Sequence, residues 1–391
     1  MFLNSKLNIL LPITIFFILG IIYSNSGYKI FSSNSIFLPT LIISLALIAT
    51  SLIIFATKTK IISINMLSKK NILIFFIFAL SFSAGIACHK RQIQKHEIFL
   101  NKINNKTYKS IIATVKDIKS LENKRNSVYL ELNWESENKN ISLYTNNGYD
   151  LEVGDKIEIK NATFKKPNNQ DFVKYLIKEN IATTLFINKL DYDIIEIPKY
   201  SVARWLHNKK NNILNSLKAK MSPILFTAFS SIFLGYKNLS KEIENGIKNK
   251  FKEWGIMHIL ARSGLHLIIF LLMCSFLLKF IPVHFFIKQL IILLITIIYA
   301  LLSWTSTSFL RALCALILYK ICPFIGKKTD AVHIVTVICL GILILNPEQI
   351  FFLDFQLSFL LTFSLAIISK IEVRKKRKHI EKSTLKPLYN K

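Results

Sequence analysis

Long apolar segments recur along this chain, and they constrain its fold more than any other feature. A helix that crosses a bilayer needs about 20 mostly apolar residues, within a range of roughly 17 to 25. Spans are predicted over 7–23, 36–56, 72–88, 265–281, 285–304, 309–322, 331–345 and 350–369. The spans over 309–322 and 331–345 are short, which suits helices packed inside a bundle. The fold class predicted is therefore a mainly α-helical polytopic membrane protein with about eight transmembrane helices.

The composition agrees with a membrane protein. Of the 391 residues, 52% are hydrophobic, and the mean hydropathy is +0.40. The formal net charge of +28 would suit an anionic partner, but basic cytoplasmic loops produce the same excess. Five cysteines lie in or beside apolar segments without any C-x-x-C pair, so we predict small buried thiols rather than disulfides or a zinc site.

Lysine and arginine in the loops predict the orientation of the spans. The loop after the second span carries Lys58, Lys60, Lys69 and Lys70, whereas the loop before it carries only Lys29. With eight spans, the basic cluster at 374–378 falls on the same side as the more basic loop. Both termini are therefore predicted to be cytoplasmic, and the polar region between the third and fourth spans to be extracytoplasmic.

The polar region at 89–199 has the pattern of a β domain. Short strands are predicted over 111–119, 127–134, 141–144, 156–159 and 182–187, and a short helix over 171–179. Turn signals at 146–148 and 153–155 separate several of these strands. Five strands with one helix favour an inserted small β-barrel of the OB type.

An amphipathic segment follows at 200–221, with apolar residues at helical spacing and basic residues on the other side. It suits either a helix on the membrane surface or a helix packed on the barrel. Residues 223–236 are apolar but too short to span, so a re-entrant or buried helix is predicted there. The chain is thus divided into 1–88, 89–199, 200–264, 265–370 and a basic cytoplasmic tail at 371–391.

Polar residues gather where the fourth span begins. His258, Arg262, Ser263 and His266 precede or open the segment 265–281. Ionisable groups at membrane depth are costly and normally face a protein interior or an aqueous path. The two histidines lie about 12 Å apart along a helix, so no metal site is predicted. A helix start, with Ser263 as cap and Gly264 as a flexible point, is favoured over a nucleophilic serine.

Arg311 lies inside the sixth predicted span. It could snorkel to the outer interface, or it could line a path and attract phosphate. Asp354 and Gln356 lie near the outer start of the last span, at a similar predicted depth. An Arg311–Asp354 pair is therefore allowed by the topology and would neutralise both charges.

Motifs of common enzymes are missing from the sequence. It contains no G-x-x-x-x-G-K-[ST] loop, no H-E-x-x-H and no G-x-S-x-G. We therefore predict no catalytic residues and no cofactor.

Several stretches together resemble a known family. They are Leu-Gly-Tyr-Lys at 234–237, Gly-Ile-Met-His-Ile-Leu-Ala-Arg-Ser-Gly-Leu-His at 255–266, the segments 299–303 and 308–312, Asn-Pro at 346–347 with Asp-Phe-Gln-Leu-Ser-Phe at 354–359, and 166–176 upstream. These stretches resemble motifs of the ComEC-type competence proteins of bacterial inner membranes. They occur along the chain in the same order as in that family, over roughly residues 1–370. Arg262 departs from the family pattern, which usually has an apolar residue there.

The resemblance implies an inner-membrane channel for uptake of single-stranded DNA in natural transformation. Together with membrane depth, it implies path residues at His258, Arg262, Ser263, Gly264, His266, Arg311, Asp354 and Gln356. If the outer barrel receives the strand, Lys116, Lys119, Lys124 and Arg125 are weak candidates for DNA contacts, and no strong DNA binding is predicted there. Nothing resembles the metallo-β-lactamase-like nuclease domain of many members, so a non-enzyme is expected. Expected partners are single-stranded DNA, membrane lipid, a DNA receptor, a motor or helicase, and a nuclease encoded separately.

Two alternatives stay open at this point. The same bundle could transport a small solute or a lipid-linked precursor. The chain could also be a degenerate family member without a transport role.

Overall fold

The computed structural model describes residues 9–28, 69–103, 106–120, 126–134, 137–145, 150–164, 167, 169–187, 191–230, 246, 249–255, 264–282, 284–302, 307–322, 326 and 330–385. The helices are α1 Leu10–Tyr28, α2 Lys69–Ile103, α3 Gln170–Lys178, α4 Val202–Lys220, α5 Pro223–Phe229, α6 Gly264–Leu277, α7 Phe285–Leu302, α8 Thr307–Ile321, α9 Ala331–Leu345 and α10 Leu353–Leu385. The strands are β1 Thr107–Ser120, β2 Asn126–Trp134, β3 Glu137–Thr145, β4 Lys156–Thr163, β5 Thr183–Ile187 and β6 Tyr192–Glu196. Short 3₁₀ helices cover Leu278–Phe280 and Pro347–Phe351.

Contacts within the chain group its residues into two compact units. The first unit is Met1–Gln92 with Leu318–Lys391, and the second is Ile93–Ile317. Helices α2 and α8 contribute residues to both units. The first unit holds α1, most of α2, α9 and α10, and the second holds the sheet with α3 to α7.

The six strands form one sheet in the order β5-β3-β2-β1-β4-β6. Strand β3 pairs with β5 in parallel, and the other pairs are antiparallel. Alternate residues along the strands point to the same face of the sheet, and one face is buried. Val128, Leu130 and Leu132 of β2 lie on this face and are all 0% exposed. Phe99, Leu100 and Ile103 from the end of α2 belong to the same apolar core. The end of α2 thus helps to stabilise the sheet.

The five predicted strands and the short helix are confirmed. Asn169 caps α3, because its side chain accepts hydrogen bonds from the backbone N–H groups of Asp171 and Phe172 at 2.8 and 3.3 Å. Strand β6 was missed, since only Tyr192 in it is half-buried and the remaining residues are exposed. Without a buried face, the sequence of β6 shows no alternation of apolar and polar residues.

The sheet is an open half-barrel with β5 and β6 at its two edges. The described strands therefore do not close into the barrel that the sequence predicts. The OB-type assignment remains a prediction. In the observed sheet, β1, β2 and β3 form a meander, and β4 pairs with the other side of β1.

Helix α4 is attached to the sheet through polar side chains. Ser201 caps it by accepting from the backbone N–H of Arg204 at 3.2 Å. The Arg204 guanidinium forms an ion pair with the buried Asp155, and its Nε donates to the carbonyl of Val153 at 2.9 Å. His207 Nδ1 lies 3.7 Å from Asp117 at the bulge in β1. One side of α4 therefore packs on the sheet domain.

Apolar helices account for much of the remaining described chain. The segment Leu353–Val373 of α10 is long and apolar enough to cross a membrane, alone among the described residues. Shorter apolar helices cover Leu10–Ser26, His266–Phe280, Phe285–Ala300 and Ala331–Leu345. The predicted span over 36–56 and the second half of the predicted segment 223–236 lie outside the described residues. The polytopic architecture remains a prediction.

The attachment of α4 predicts a pH effect on stability. Burial lowers the pKa of His207, and the nearby Asp117 only partly opposes this shift. As the pH falls, His207 is therefore protonated at a higher pH in the unfolded chain than in the folded protein. The free energy of unfolding should consequently fall as the pH drops below about 6.5. We expect His207→Gln to remove this part of the loss, measured from thermal unfolding between about pH 7 and about pH 5.

His284→Gln, at an exposed histidine of the same unit, serves as the matched control. If the free energy of unfolding changed with pH equally in the wild-type chain and in His207→Gln, the expectation would be contradicted.

Candidate functional site

The predicted path residues fall in different parts of the structure. Gly264, His266 and Arg311 belong to the second unit, whereas Asp354 and Gln356 belong to the first. His258, Arg262 and Ser263 lie outside the described residues. The structure therefore gives a local account of α6 and α8, and the role predicted for 258–263 stays a prediction.

Helices α6 and α8 approach closely at Gly264. A Cβ atom added to Gly264 would lie 2.7 Å from the Cβ of Ala312, closer than side chains can pack. Small residues allow this approach between helices in membranes. Gly264 thus has a packing role at the start of α6.

Two ionisable residues are buried beside this contact. His266 is 7% exposed and Arg311 is 6% exposed. Leu267, Phe309 and Leu313, which lie next to or near these two residues in sequence, belong to a buried apolar cluster. Arg311 is therefore enclosed by protein, and its side chain does not extend to the outside of the helices as a snorkelling arginine would.

The two candidates in the first unit differ in their surroundings. Asp354 is exposed in the first turn of α10. The Gln356 side chain donates to the carbonyl of Ile350 at 2.8 Å and so joins α10 to the preceding 3₁₀ helix. The Arg311–Asp354 pair stays a prediction, since its residues belong to different units.

The predicted DNA contacts of the sheet domain are only partly described. Lys116 Nζ lies 2.7 Å from the carboxylate of Glu131 on the neighbouring strand, so its charge is matched locally. Lys119 lies in β1, and Lys124 and Arg125 lie outside the described residues. Lys116 is therefore a weak candidate for a phosphate contact.

A second buried polar group occurs where α1 and α2 meet. The two helices touch through glycines: a Cβ on Gly20 would lie 2.1 Å from the carbonyl oxygen of Phe82, and one on Gly85 would lie 2.2 Å from that of Phe17. This reciprocal contact brings the backbones together. One turn further along each helix, Ser24 and His89 face each other.

Ser24, His89 and Glu348 form a buried hydrogen-bonded network. His89 Nδ1 lies 2.9 Å from Ser24 Oγ, and His89 Nε2 lies 3.2 Å from Glu348 Oε2. His89 is 0% exposed and Glu348 is 2% exposed. The ring of Phe351 packs edge-on against His89, with the ring centroids 5.7 Å apart.

Gln92 strengthens the same junction. Its side-chain amide donates to Asn346 Oδ1 at 2.9 Å and accepts from the backbone N–H of Glu348 at 3.3 Å. The N-terminal helices are thus joined by side-chain hydrogen bonds to the turn between α9 and α10. Buried polar groups of this kind stabilise a structure when each has a partner.

The order serine, histidine, carboxylate is that of a hydrolytic triad. Ser24, however, is only 4% exposed, so a substrate carbonyl has no access to its hydroxyl in the described part of the chain. The geometry therefore supports a structural role. Sequence reasoning missed this network because its members lie 65 and 259 residues apart. The available signal was that Ser24 and His89 follow directly after apolar segments and that Glu348 lies three residues after one.

A comparison with known families matches part of the chain. Residues 232–387 match the family model described as "Competence protein". This range includes α6 to α10, and hence His266, Arg311 and Glu348. No curated protein and no solved structure matches the chain.

The buried network predicts a large stability effect. Glu348→Ala removes the carboxylate and leaves the imidazole of His89 buried without its acceptor. Removing one partner of such a pair should lower the free energy of unfolding by about 3–5 kcal/mol. Chemical denaturation of the purified chain in detergent would measure this change.

Asp330→Asn is the matched control in the same unit. It breaks the partly exposed ion pair with Lys370 but keeps the side-chain oxygen that caps α9. A partly exposed pair is worth about 0–1 kcal/mol. Similar losses in the two variants would contradict a special role for the buried network.

Proposed function

We propose that this chain, whose residues 232–387 place it in the competence protein family with a ComEC-type domain, conducts single-stranded DNA across the bacterial inner membrane in natural transformation. The family supports a role in competence, and the channel function is the finer proposal. The observation that carries it is the buried Arg311, which lies with buried His266 among apolar helices of the matched range.

A buried arginine suits this function because DNA is a chain of negative charges. Each phosphate that enters an apolar bundle needs a cation or polar group to replace water. Arginine stays charged at all relevant pH values and presents a planar fork that matches phosphate. An arginine kept inside a bundle despite its desolvation cost therefore supports an anionic substrate.

The course of the helices supports the predicted topology. Helices α1 and α2 run parallel, because their contacts follow the same order along both helices. The contact pairs are Ile13 with Ser81, Phe17 with Gly85, and Ser24 with His89. Parallel spans lie an even number of crossings apart, which agrees with one further span between them. The segment that follows α9 contacts His89 and Gln92 within α2, and His89 contacts Ser24 near the end of α1.

Three predicted spans thus end at one level. In the eight-span topology this is the outer level, directly before the polar region that contains the sheet. The sheet domain is accordingly proposed to be extracytoplasmic and of the OB type.

The sheet domain carries an aromatic surface suited to unpaired bases. Tyr144 and Phe186 stack with ring centroids 5.1 Å apart, and Phe186 is 73% exposed. Phe172 and Tyr175 of α3 form a second stacked pair at 6.3 Å. Bases of single strands stack on such rings without sequence preference. A DNA receptor outside and a motor or helicase inside are the proposed partners.

Arg311→Leu should reduce uptake of labelled DNA by roughly tenfold or more, because it removes the buried cation while keeping an apolar side chain. Arg311→Lys should retain part of the uptake, since the positive charge remains. Uptake would be measured in cells that lack the chromosomal copy, with the amount of protein in the membrane checked by immunoblot.

Lys320→Gln, at the end of α8, is the matched control and should leave uptake unchanged. Wild-type uptake by Arg311→Leu would contradict the assigned role of Arg311. Wild-type uptake in cells without the protein would overturn the DNA function itself and favour transport of another solute.

A further inference from the structure

Helix α4 uses its polar side to bind the sheet domain. Arg204, His207 and Leu214 follow one another at spacings of three and seven residues, which places them on one side of the helix. Arg204 pairs with Asp155, His207 lies near Asp117, and Leu214 is buried. The contact to the sheet is therefore made mainly by charged groups.

The opposite side of α4 carries exposed apolar side chains, with Lys209 and Lys220 among them. Val202 is 75% exposed, Trp205 is 59% exposed and Ile213 is 45% exposed. A helix on a water-soluble domain normally buries its apolar side and exposes its polar side. Helix α4 instead contacts the sheet with charged groups and leaves these large apolar side chains exposed, which indicates that they have a partner other than the sheet.

The exposed apolar surface continues into the segment before α4. Ile195, Ile197 and Tyr200 are 48%, 60% and 98% exposed. Tyrosine and tryptophan are enriched where membranes meet water. Helix α4 also contacts α7, a strongly apolar helix of the same unit. Helix α4 is therefore in contact with a helix of membrane-like composition.

We propose that the interfacial patch, formed by Ile195, Ile197, Tyr200, Val202, Trp205 and Ile213, inserts into the headgroup region of a phospholipid bilayer. Exposed lysines at 199, 209 and 220 accompany the patch and favour anionic headgroups. Helix α4 then holds the sheet domain against the membrane, with the sheet on one side and lipid on the other. The inference rests on the membrane location in the proposed function, and it does not depend on DNA transport.

Tryptophan fluorescence tests this placement directly. The full chain with Trp134→Phe, Trp254→Phe and Trp304→Phe keeps Trp205 as its single tryptophan. It would be reconstituted in phosphatidylcholine and phosphatidylglycerol vesicles containing lipids brominated at defined depths. Trp205 should lose most of its fluorescence with bromines near the headgroup, less with bromines deep in the acyl chain, and little with aqueous iodide. Replacing phosphatidylglycerol by phosphatidylcholine should weaken the quenching by bromine.

A matched control moves the tryptophan to another exposed aromatic site. Phe186→Trp, with all four native tryptophans changed to phenylalanine, places the probe on edge strand β5. That probe should be quenched by iodide and not by brominated lipid. Trp205 fluorescence that responds to iodide and not to brominated lipid would overturn the proposal. A chain that does not float with the vesicles at all would instead overturn the membrane location.

Discussion

The contact between α1 and α2 at Gly20 and Gly85 is the constraint on which much of the first unit depends. No side chain separates the two backbones there, so Ser24 and His89 come within hydrogen-bond distance one turn later. Glu348 then completes the network from the turn after α9. Because buried ionisable groups need partners, this network fixes the ends of α1 and α9 against α2 at His89. Helix α2 continues past it and contributes Phe99, Leu100 and Ile103 to the core of the sheet.

Buried polar groups are distributed differently in the second unit. Small residues again permit a close helix contact, at Gly264 and Ala312, and His266 and Arg311 are buried beside it. In the first unit the polar groups hydrogen-bond one another at the ends of apolar segments. In the second, an arginine lies among apolar helices. The first arrangement is a structural junction, and the role of the second belongs to the proposed function.

Sequence reasoning reached the local structure more readily than the long-range contacts. Alternation of apolar and polar residues predicted β1 to β5, and it failed at β6 because that strand buries almost nothing. Depth along a predicted span could not distinguish a snorkelling Arg311 from an enclosed one, because that depends on neighbouring helices. The amphipathic pattern of α4 could not show which side meets the sheet, since charged side chains make that contact. The network of Ser24, His89 and Glu348 depends on three segments far apart in the chain.

The proposed function requires the sheet domain to lie on the outer side of the membrane, and its side can be measured directly. In a chain whose five cysteines are replaced by serine, single cysteines would be introduced by Phe186→Cys in β5 or Lys376→Cys in the basic end of α10. A membrane-impermeant maleimide should label the cysteine at 186 in spheroplasts and the cysteine at 376 only after permeabilisation. Labelling at 376 in sealed spheroplasts, with 186 protected until permeabilisation, would contradict the topology and with it the proposed entry of DNA through the sheet domain.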